Sequence, residues 1–190
     1  MDNKLLQTAI KNVIELSEED LSLLMSCVTK RQLKRGEPIL EKGKVCRSFY
    51  FVESGYLRTW YNKDGVSINL NFTFEGHFTC NLKSFKSRQP SDFTIEAGEN
   101  TSVCVFDWDM ISAQVVANRP LIAQFVRRVA VRLLLASEEH SELFKIYTPA
   151  ERYHYIEKNN PHLLQRVSLS QIASYIGITR ETLSRIRAKS

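Results

Sequence analysis

A long stretch with strand-like alternation places the strongest limit on how this chain can fold. Between residues 32 and 106 the apolar pattern has a period of two, most clearly from Ile68 to Phe74. That period predicts strands with one buried face. Turn residues separate the runs, and Asp64-Gly65 is a strong hairpin signal. Because the strands are short and no long helix lies between them, the stretch predicts an antiparallel sandwich or roll and not a parallel α/β sheet.

Helical patterns flank this stretch on both sides. Residues 5–30 carry apolar side chains at helical spacing, with Ser17 as a candidate N-cap, and they predict short covering helices. After Trp108, apolar side chains recur at alternating intervals of four and three residues, which is the spacing of a heptad seam. The seam consists of Ile122, Val126, Val129, Leu133, Ala136, His140 and Leu143, with Tyr147 at its end.

This seam permits two interpretations. An apolar stripe is expected when a helix lies on its own domain, and equally when it pairs with a second copy of the chain. Pairing is favoured because the helix is longer than the average of about 11–12 residues and because its other faces are charged. The charged residues are Arg127, Arg128, Arg132, Glu138, Glu139 and Glu142. We therefore expect a homodimer joined along this helix.

The patterns divide the chain into three parts. Thr148 is a candidate N-cap and Pro149 a favoured first helical residue, so a new unit begins there. Residues 1–118 are predicted to form the N-terminal helices and a β-roll, residues 119–147 the dimerisation helix, and residues 148–190 a separate helical domain. The predicted fold class is α+β.

The positive charge is concentrated in the last of these parts. The chain carries a formal net charge of +5. Residues 148–190 contain 7 Lys and Arg against 3 Asp and Glu, whereas residues 1–147 contain 19 against 18. Such an excess is either a solubilising surface or a surface that binds a polyanion such as DNA.

Composition disfavours several classes of protein. No run approaches the roughly 20 apolar residues that span a bilayer, and the start of the chain does not resemble a secretion signal, so we expect a cytoplasmic protein without a membrane partner. The four cysteines, Cys27, Cys46, Cys80 and Cys104, form no C-x-x-C pair, which predicts reduced thiols and no metal site. No phosphate-binding glycine loop or nucleophile–base pair is recognisable, so neither an enzyme nor a cofactor is expected.

The segment SLSQIASYIGITRETLSRIR, residues 168–187, contains two helix starts separated by a glycine. Ser168 and Gln171 match a capping box. Gly177 can adopt the positive φ that ends the first helix, and Thr179 can cap the second. This is the spacing of a helix-turn-helix, whose second helix enters the major groove of double-stranded DNA. The alternative is an ordinary helical hairpin with exposed arginines.

Polar residues on the second helix suit the reading of base edges. Arg180 and Arg185 can each donate two hydrogen bonds to guanine O6 and N7, and Glu181 can accept one from cytosine N4. Contacts to phosphate position a protein on DNA without reading the sequence. The candidates for such contacts are Ser168, Thr179, Thr182, Arg187 and Lys189.

In this order the motifs resemble the Crp/Fnr transcription regulators. The segment Thr179-Arg180-Glu181-Thr182 with Arg185 is similar to their recognition helix. Shorter matches to their opening strands and turns are Lys34-Arg35-Gly36-Glu37, Glu41-Lys42-Gly43 and Phe49-Tyr50-Phe51-Val52-Glu53-Ser54-Gly55. The resemblance implies a cyclic-nucleotide-binding-like β-roll, a long dimerisation helix, a C-terminal helix-turn-helix of winged-helix type, and RNA polymerase as a partner. Few residues follow Ile186, so we expect a truncated wing.

The effector cassette departs from the pattern of this family. Members that bind cyclic nucleotides hold the ribose and phosphate with Gly-Glu, followed about ten residues later by Arg-Ser or Arg-Thr. Here Cys80-Asn81 and Ser91-Asp92 stand at those places. The arginine that would neutralise the phosphate is absent, and Asp92 adds a negative charge. Arg88 or Lys83 is an alternative cation if the loop is rebuilt.

These observations predict a sequence-specific DNA-binding transcription regulator of the Crp/Fnr type that cyclic AMP does not control. As a dimer it would bind a near-palindromic site. Two alternatives stay open. One is a ligand-responsive regulator with a remodelled nucleotide pocket, and the other is a protein-interaction module whose helix-turn-helix does not bind DNA. The residues do not identify an effector.

Overall fold

A computed structural model describes residues 4–113 and 119–188 and confirms the mixture of helices and antiparallel strands. The N-terminal part contains, in chain order, α1 (Lys4–Val13), α2 (Glu18–Ser26), β1 (Val28–Leu33), β2 (Pro38–Leu40), β3 (Ser48–Ser54), β4 (Leu57–Lys63), β5 (Val66–Thr73), β6 (Phe78–Thr79), α3 (Leu82–Ser87), β7 (Thr94–Ala97), β8 (Thr101–Asp107) and α4 (Trp108–Ile111). The C-terminal part contains α5 (Pro120–Ile146), α6 (Pro149–Asn159), α7 (Pro161–Arg166), α8 (Leu169–Tyr175) and α9 (Arg180–Arg187).

The N-terminal helices end earlier than the sequence predicts. The expected cap of α2 is present, because the Ser17 hydroxyl accepts the Asp20 N–H at 3.1 Å. The helix then ends at Ser26 with Cys27 as its C-cap, and Val28 begins a strand that pairs with β8. The prediction of helix up to residue 30 is wrong there, because pairing with β8 outweighs the local helical spacing.

Two antiparallel sheets form the predicted roll. The strand orders are β1-β8-β3-β6 and β2-β7-β4-β5. The predicted hairpin at Asp64-Gly65 joins β4 to β5, and the two residues have φ angles of 52° and 85°. A two-residue turn with positive φ at both positions has the twist that neighbouring strands need.

Apolar clusters lie inside the roll and between the roll and the helices. The cluster between the sheets includes Leu33, Leu40, Val52, Leu57, Ile95 and Val103. A second cluster joins the first sheet to α1, α2 and α5. In that cluster the ring of Phe125 on α5 lies 6.2 Å from Phe106 and 5.9 Å from Phe78. The long helix is therefore packed on the roll of its own chain.

This packing corrects the predicted dimer seam. Ile122, Val126 and Val129 are buried within the protomer, and Leu133 packs against the same cluster. The prediction that Ile122, Val126 and Val129 contact a second copy is wrong, because their own domain already removes them from solvent. Leu133 is half-buried, and its contact with a second copy stays a prediction. The apolar stripe in this half of the helix is a core stripe.

The second half of the seam does not form a continuous surface either. His140 stacks on Tyr175 of the same chain, with ring centroids 4.7 Å apart, and Leu143 is half-buried. Ala136 is exposed, and so is Tyr147 at the end of the seam. A different set of apolar residues on α5 faces outwards: Val131, Leu134 and Leu135 are 49%, 50% and 52% exposed. Since successive residues turn by about 100°, these side chains lie opposite the buried stripe.

The break between α5 and α6 agrees with the predicted restart. The Thr148 side chain accepts the Glu151 N–H, and the Glu151 carboxylate accepts the Thr148 N–H at 2.8 Å, which completes a capping box with Pro149 in the first turn.

Across residues 4–113 and 119–188, no helix has the length and apolar character required to cross a membrane.

Candidate nucleic-acid interface and effector region

The helix-turn-helix is built from local capping interactions. The Ser168 hydroxyl accepts the Gln171 N–H at the start of α8, and the Thr179 hydroxyl accepts the Thr182 N–H at 3.2 Å at the start of α9. Gly177 lies between them with φ 74°. A side chain would be strained at this φ, and a Cβ would lie 2.9 Å from the ring of Phe144 on α5, which would have to shift. Gly177 therefore provides both the turn and the close approach to the long helix.

A small apolar core holds α8 and α9 at a fixed crossing. Its fully or nearly fully buried members are Ile172, Ala173, Ile176 and Leu183. Ile178 and Ile186 pack against them, as the sequence predicts. The second helix is thereby held with one face in the core and the other in solvent.

The solvent face of α9 carries the predicted base-reading residues. Arg180, Glu181 and Arg185 are all exposed. Glu181 and Arg185 are four residues apart and lie on one side of the helix, where the Arg185 Nε donates weakly to the Glu181 carbonyl at 3.4 Å. Hydrogen bonds from its own backbone N–H and from Thr179 lower the pKa of Glu181, so the carboxylate is an ionised acceptor at neutral pH.

The predicted phosphate contacts surround this face. Ser168, Thr179 and Arg187 are exposed. Thr182 is half-buried, and its hydroxyl is hydrogen-bonded to the Thr179 hydroxyl at 3.1 Å. Lys189 lies outside the described residues. The hydroxyls of Ser168 and Thr179 already serve as helix caps, which fixes their position at the two helix N-termini, where backbone N–H groups also favour anions.

The first helix of this motif also covers an open edge of the roll. Strand β5 is the edge of its sheet, and α8 packs against it. The Ser174 hydroxyl accepts the Asn69 N–H at 3.0 Å and donates to the Ser67 carbonyl at 3.1 Å. This satisfies strand groups that would otherwise be unpaired. The alternation predicted for β5 placed Asn69 in solvent, and that prediction is wrong because α8 buries it.

An ion cluster links α7 to the roll. Arg166 donates to both carboxylate oxygens of Glu75 at 2.8 Å, pairs with Glu99, and lies over the rings of Tyr56 and Phe74. Paired, fork-like geometry of this kind is the strongest form of arginine–carboxylate contact. The residues are far apart in the sequence, and no local pattern pointed to their pairing.

We expect Arg166→Met to lower the free energy of unfolding by about 1–2 kcal/mol, because partly exposed hydrogen bonds between charged groups contribute about that much. The Arg166 guanidinium holds the pKa of Glu75 below its ordinary value of 4.5. A lowered folded pKa gives stability that is present above pH 4.5 and is lost as the pH falls through the folded value. The loss caused by Arg166→Met should therefore shrink in acid, as denaturant titrations at pH 7 and pH 3 would measure.

The matched control is Lys83→Met, which breaks an ion pair with Asp92 whose side chains are 79% and 71% exposed. An exposed pair of this kind contributes little. Equal losses in the two variants, or a loss for Arg166→Met that grows in acid, would contradict the account of Arg166.

A column of rings continues the connection towards α5. Phe72 of β5 meets Tyr175 of α8 with centroids 5.3 Å apart, and Tyr175 stacks on His140 of α5. Burial lowers the pKa of His140, so the ring is neutral at neutral pH. Roll, long helix and helix-turn-helix are thus joined through three aromatic side chains.

At the effector cassette, polar side chains are bonded to one another. Asn81 caps α3 by accepting the Ser84 N–H at 3.0 Å, and its Nδ2 donates to the Ser91 hydroxyl at 2.7 Å. Ser91 donates in turn to the Phe93 carbonyl at 2.6 Å. Asn81 and Ser91 are each 2% exposed. Two of the residues at the cassette positions are therefore occupied with internal hydrogen bonds.

The two cations considered for a rebuilt anion site face other partners. The Lys83 ammonium pairs with Asp92 at 2.9 Å in solvent. Arg88 pairs with Asp109 at 3.0 Å and lies over the Phe85 ring. Neither contact places a free guanidinium or ammonium beside Asn81 and Ser91.

A cavity of about 380 Å³ lies outside this cassette, on the β1–β2–β3 side of the roll. Its polar and charged lining includes Arg31, Glu41, Lys44, Arg47 and Tyr50. As to metals, the residues that the structure describes contain no group of three or more His, Cys, Asp or Glu side chains able to hold an ion.

Known proteins share both the domain and the architecture. Residues 30–118 match the cyclic nucleotide-binding domain family. No curated protein is a match for this sequence.

Solved structures extend the similarity over most of the chain. One is described as a transcriptional regulator of the crp/fnr family from Eubacterium rectale, with TM-score 0.69, 18% identity and coverage of 92% of this chain and 83% of the other. FixK2 from Bradyrhizobium japonicum has a TM-score of 0.70 and 20% identity, and the match covers 85% of this chain and 83% of FixK2. The c-di-GMP responsive global regulator CLP from Xanthomonas campestris has a TM-score of 0.69 and 15% identity, and the match covers 91% of each chain. Residues 30–118 are thus similar in sequence to the cyclic nucleotide-binding domain family, and the chain shares the fold of solved regulators that include a member of the crp/fnr family.

Proposed function

We propose that this protein is a sequence-specific DNA-binding transcription regulator. The supporting observation is that Arg180, Glu181 and Arg185 lie exposed on the solvent face of the second helix of a helix-turn-helix. Two arginine forks and one ionised acceptor suit guanine and cytosine edges in a major groove. Solved structures with the same fold include a transcriptional regulator of the crp/fnr family and the global regulator CLP, which supports this proposal.

The proposed regulator acts as a homodimer on a near-palindromic site. Two recognition helices placed about one DNA turn apart require two half-sites in opposite orientation. The outward apolar residues Val131, Leu134 and Leu135 are the surface that we assign to the second copy. They lie on the long helix opposite its core stripe, and their burial by the same residues of a partner would give a self-complementary contact.

The binding site is identified by selecting sequences from a random DNA library with the full chain. A single enriched motif with two inverted half-sites supports the proposal. Affinity for that motif should fall steeply as salt rises from 50 to 200 mM, since each neutralised phosphate releases counterions. Enrichment of no motif would overturn sequence-specific binding.

We further propose that cyclic AMP does not control this regulator. Asn81 and Ser91 are bonded to each other at the cassette, Asp92 brings a negative charge, and Arg88, the arginine considered for a rebuilt site, pairs with Asp109. Micromolar cyclic AMP should give no heat of binding to the full chain and no change in its affinity for the selected motif. Calorimetry and a DNA titration measure these two quantities, and a saturable heat at micromolar nucleotide would contradict this prediction.

The alternative of a protein-interaction module makes a different prediction. In that case Arg180 and Arg185 have no base to read, and the selected library contains no motif.

A transcription regulator is expected in the cytoplasm with the DNA, and RNA polymerase is its proposed protein partner. The ligand-responsive alternative would be favoured by saturable binding of a small molecule in the cavity beside Arg31, Lys44 and Tyr50.

A further inference from the structure

One arginine joins the end of the long helix to the turn of the helix-turn-helix. Arg152 lies near the start of α6 and is half-buried. Its Nε donates to the Tyr147 carbonyl at 3.0 Å, and its Nη1 donates to the Ile176 carbonyl at 2.8 Å. Tyr147 is the C-cap of α5, and Ile176 is the C-cap of α8. A single guanidinium on α6 therefore connects the ends of two other helices.

The chemistry of a helix end explains why an arginine suits this place. Carbonyl groups at the C-terminus of a helix have no donor within the helix, and the negative end of the helix dipole favours a cation. The Arg152 guanidinium supplies the charge and both donors at once, because its N–H groups have a fixed, planar arrangement. The relative position of the two helix ends is thus held by one rigid group.

An aromatic ring holds this guanidinium against the turn. Its carbon lies 4.4 Å from the centroid of the Phe144 ring on α5, an arrangement that attracts a cation. The turn itself is close to both side chains, since a Cβ at Gly177 would lie 2.9 Å from Phe144 and 3.4 Å from the Arg152 Nη1. Thr179, the N-cap of α9, follows two residues later. Arg152 and Phe144 therefore lie against the turn that leads into α9.

We propose that Arg152 is a positioning residue that sets the orientation of the helix-turn-helix on α5, and thereby the separation of the two recognition helices in the dimer. This inference rests on the proposed function and names the residue that selects the spacing between half-sites. The bases of a half-site are read by α9 itself, whereas the spacing depends on where two copies of α9 are held. Arg166 attaches α7, which precedes α8, to the roll, and Arg152 attaches the other end of α8 to α5.

Arg152→Met should separate these two properties. Methionine keeps an apolar side chain at this position but cannot donate to the Tyr147 and Ile176 carbonyls. Selection from a random library should enrich the same half-sites as the unmodified chain, but with variable spacing between them. Affinity for the full site should fall by about 10-fold, which is part of the contribution that simultaneous contact with two sites makes. Affinity for a duplex with a single half-site should be unchanged, because α9 keeps its exposed face.

Two further variants distinguish geometry from charge. Lys158→Met removes the same charge from an exposed position on α6, so its spacing and affinity should match those of the unmodified chain. Arg152→Lys keeps the charge, but an ammonium on a flexible stem does not hold two carbonyls in a fixed fork, so variable spacing should remain. Equal losses of full-site and half-site affinity in Arg152→Met would show damage to α9 and would contradict a positioning role.

A distance measurement without DNA separates this inference from the proposed function. Ser137 on α5 and Ser184 on α9 are exposed, and Ser137→Cys with Ser184→Cys provides two sites for spin labels. Cys80→Ser is added because Cys80 is half-buried, whereas Cys27, Cys46 and Cys104 are buried. Labelled protein is diluted with unlabelled protein, so that pulsed electron paramagnetic resonance reports distances within one protomer. The distance distribution should be narrow in this chain and with Lys158→Met, and broader with Arg152→Met.

The two measurements together decide each part of the inference. An unchanged distance distribution in Arg152→Met overturns the positioning role whether or not the protein binds DNA. A broader distribution with a single retained spacing overturns the role in selecting the DNA site. A broader distribution in a protein that enriches no motif leaves the positioning of the helix-turn-helix standing and overturns the proposed function.

Discussion

Replacing both Arg180 and Arg185 by Ala should abolish selective binding to the cognate DNA. Each fork on a guanine edge is worth about 1–3 kcal/mol of discrimination, so each single variant should lose roughly 5- to 150-fold in affinity. Both side chains are exposed and outside the helix-turn-helix core. The fold should therefore be unchanged, and the loss should appear in titrations of the selected motif against a scrambled duplex.

A matched control removes the same amount of charge elsewhere. Lys11 on α1 and Lys86 on α3 are exposed, and their double replacement by Ala lowers the net charge equally. If charge alone attracts DNA, the two double variants should weaken binding alike, and the preference for the motif should survive in both. That result would contradict base reading by α9 and would favour the helical-hairpin interpretation.

Leu134→Glu with Leu135→Glu should convert the proposed dimer to a monomer. Both side chains are about half exposed on the outward face of α5, so the substitutions cost the protomer little, while four carboxylates would face one another across the proposed interface. In a dimer, binding of the second half-site is intramolecular and adds to the affinity. A monomer binds a single half-site without this contribution, so its apparent affinity for the full site should be about 10²–10⁴-fold lower. Light scattering during size-exclusion chromatography gives the mass, and titration on full and half sites gives the affinity.

Ala136→Glu is the control on the same helix. Ala136 is exposed and belongs to the seam predicted from the sequence, away from the outward apolar face. If the outward face forms the dimer, Ala136→Glu stays dimeric and binds DNA normally. A monomeric Ala136→Glu, with a dimeric Leu134→Glu and Leu135→Glu variant, would return the interface to the predicted seam.

Features that depend on neighbouring residues could be predicted from the sequence. The β4–β5 turn follows from Asp64-Gly65, whose backbone tolerates positive φ, and the helix starts follow from Thr148 and Thr179, whose hydroxyls bond to N–H groups three residues later. The order of roll, long helix and helix-turn-helix follows in the same way from changes of hydrophobic period. The overall architecture could therefore be predicted from the sequence.

Features that depend on which surfaces meet could not be predicted in this way. A heptad stripe does not say what covers it, and the structure shows the first half of the α5 stripe against its own roll. Asn69 has the sequence context of a solvent-facing strand residue, but α8 buries it. Arg166 and Glu75 are separated by 91 residues, and nothing local marks them as partners.

By itself, the sequence determined most of the elements, their order and the polar face of α9, because these arise from backbone preferences and periodicity within a few residues. Only the tertiary structure decided which apolar face of α5 is exposed and how the helix-turn-helix rests on the roll. These depend on packing between segments distant in the chain, where burial of apolar surface and pairing of polar groups select one arrangement among several that the local pattern allows.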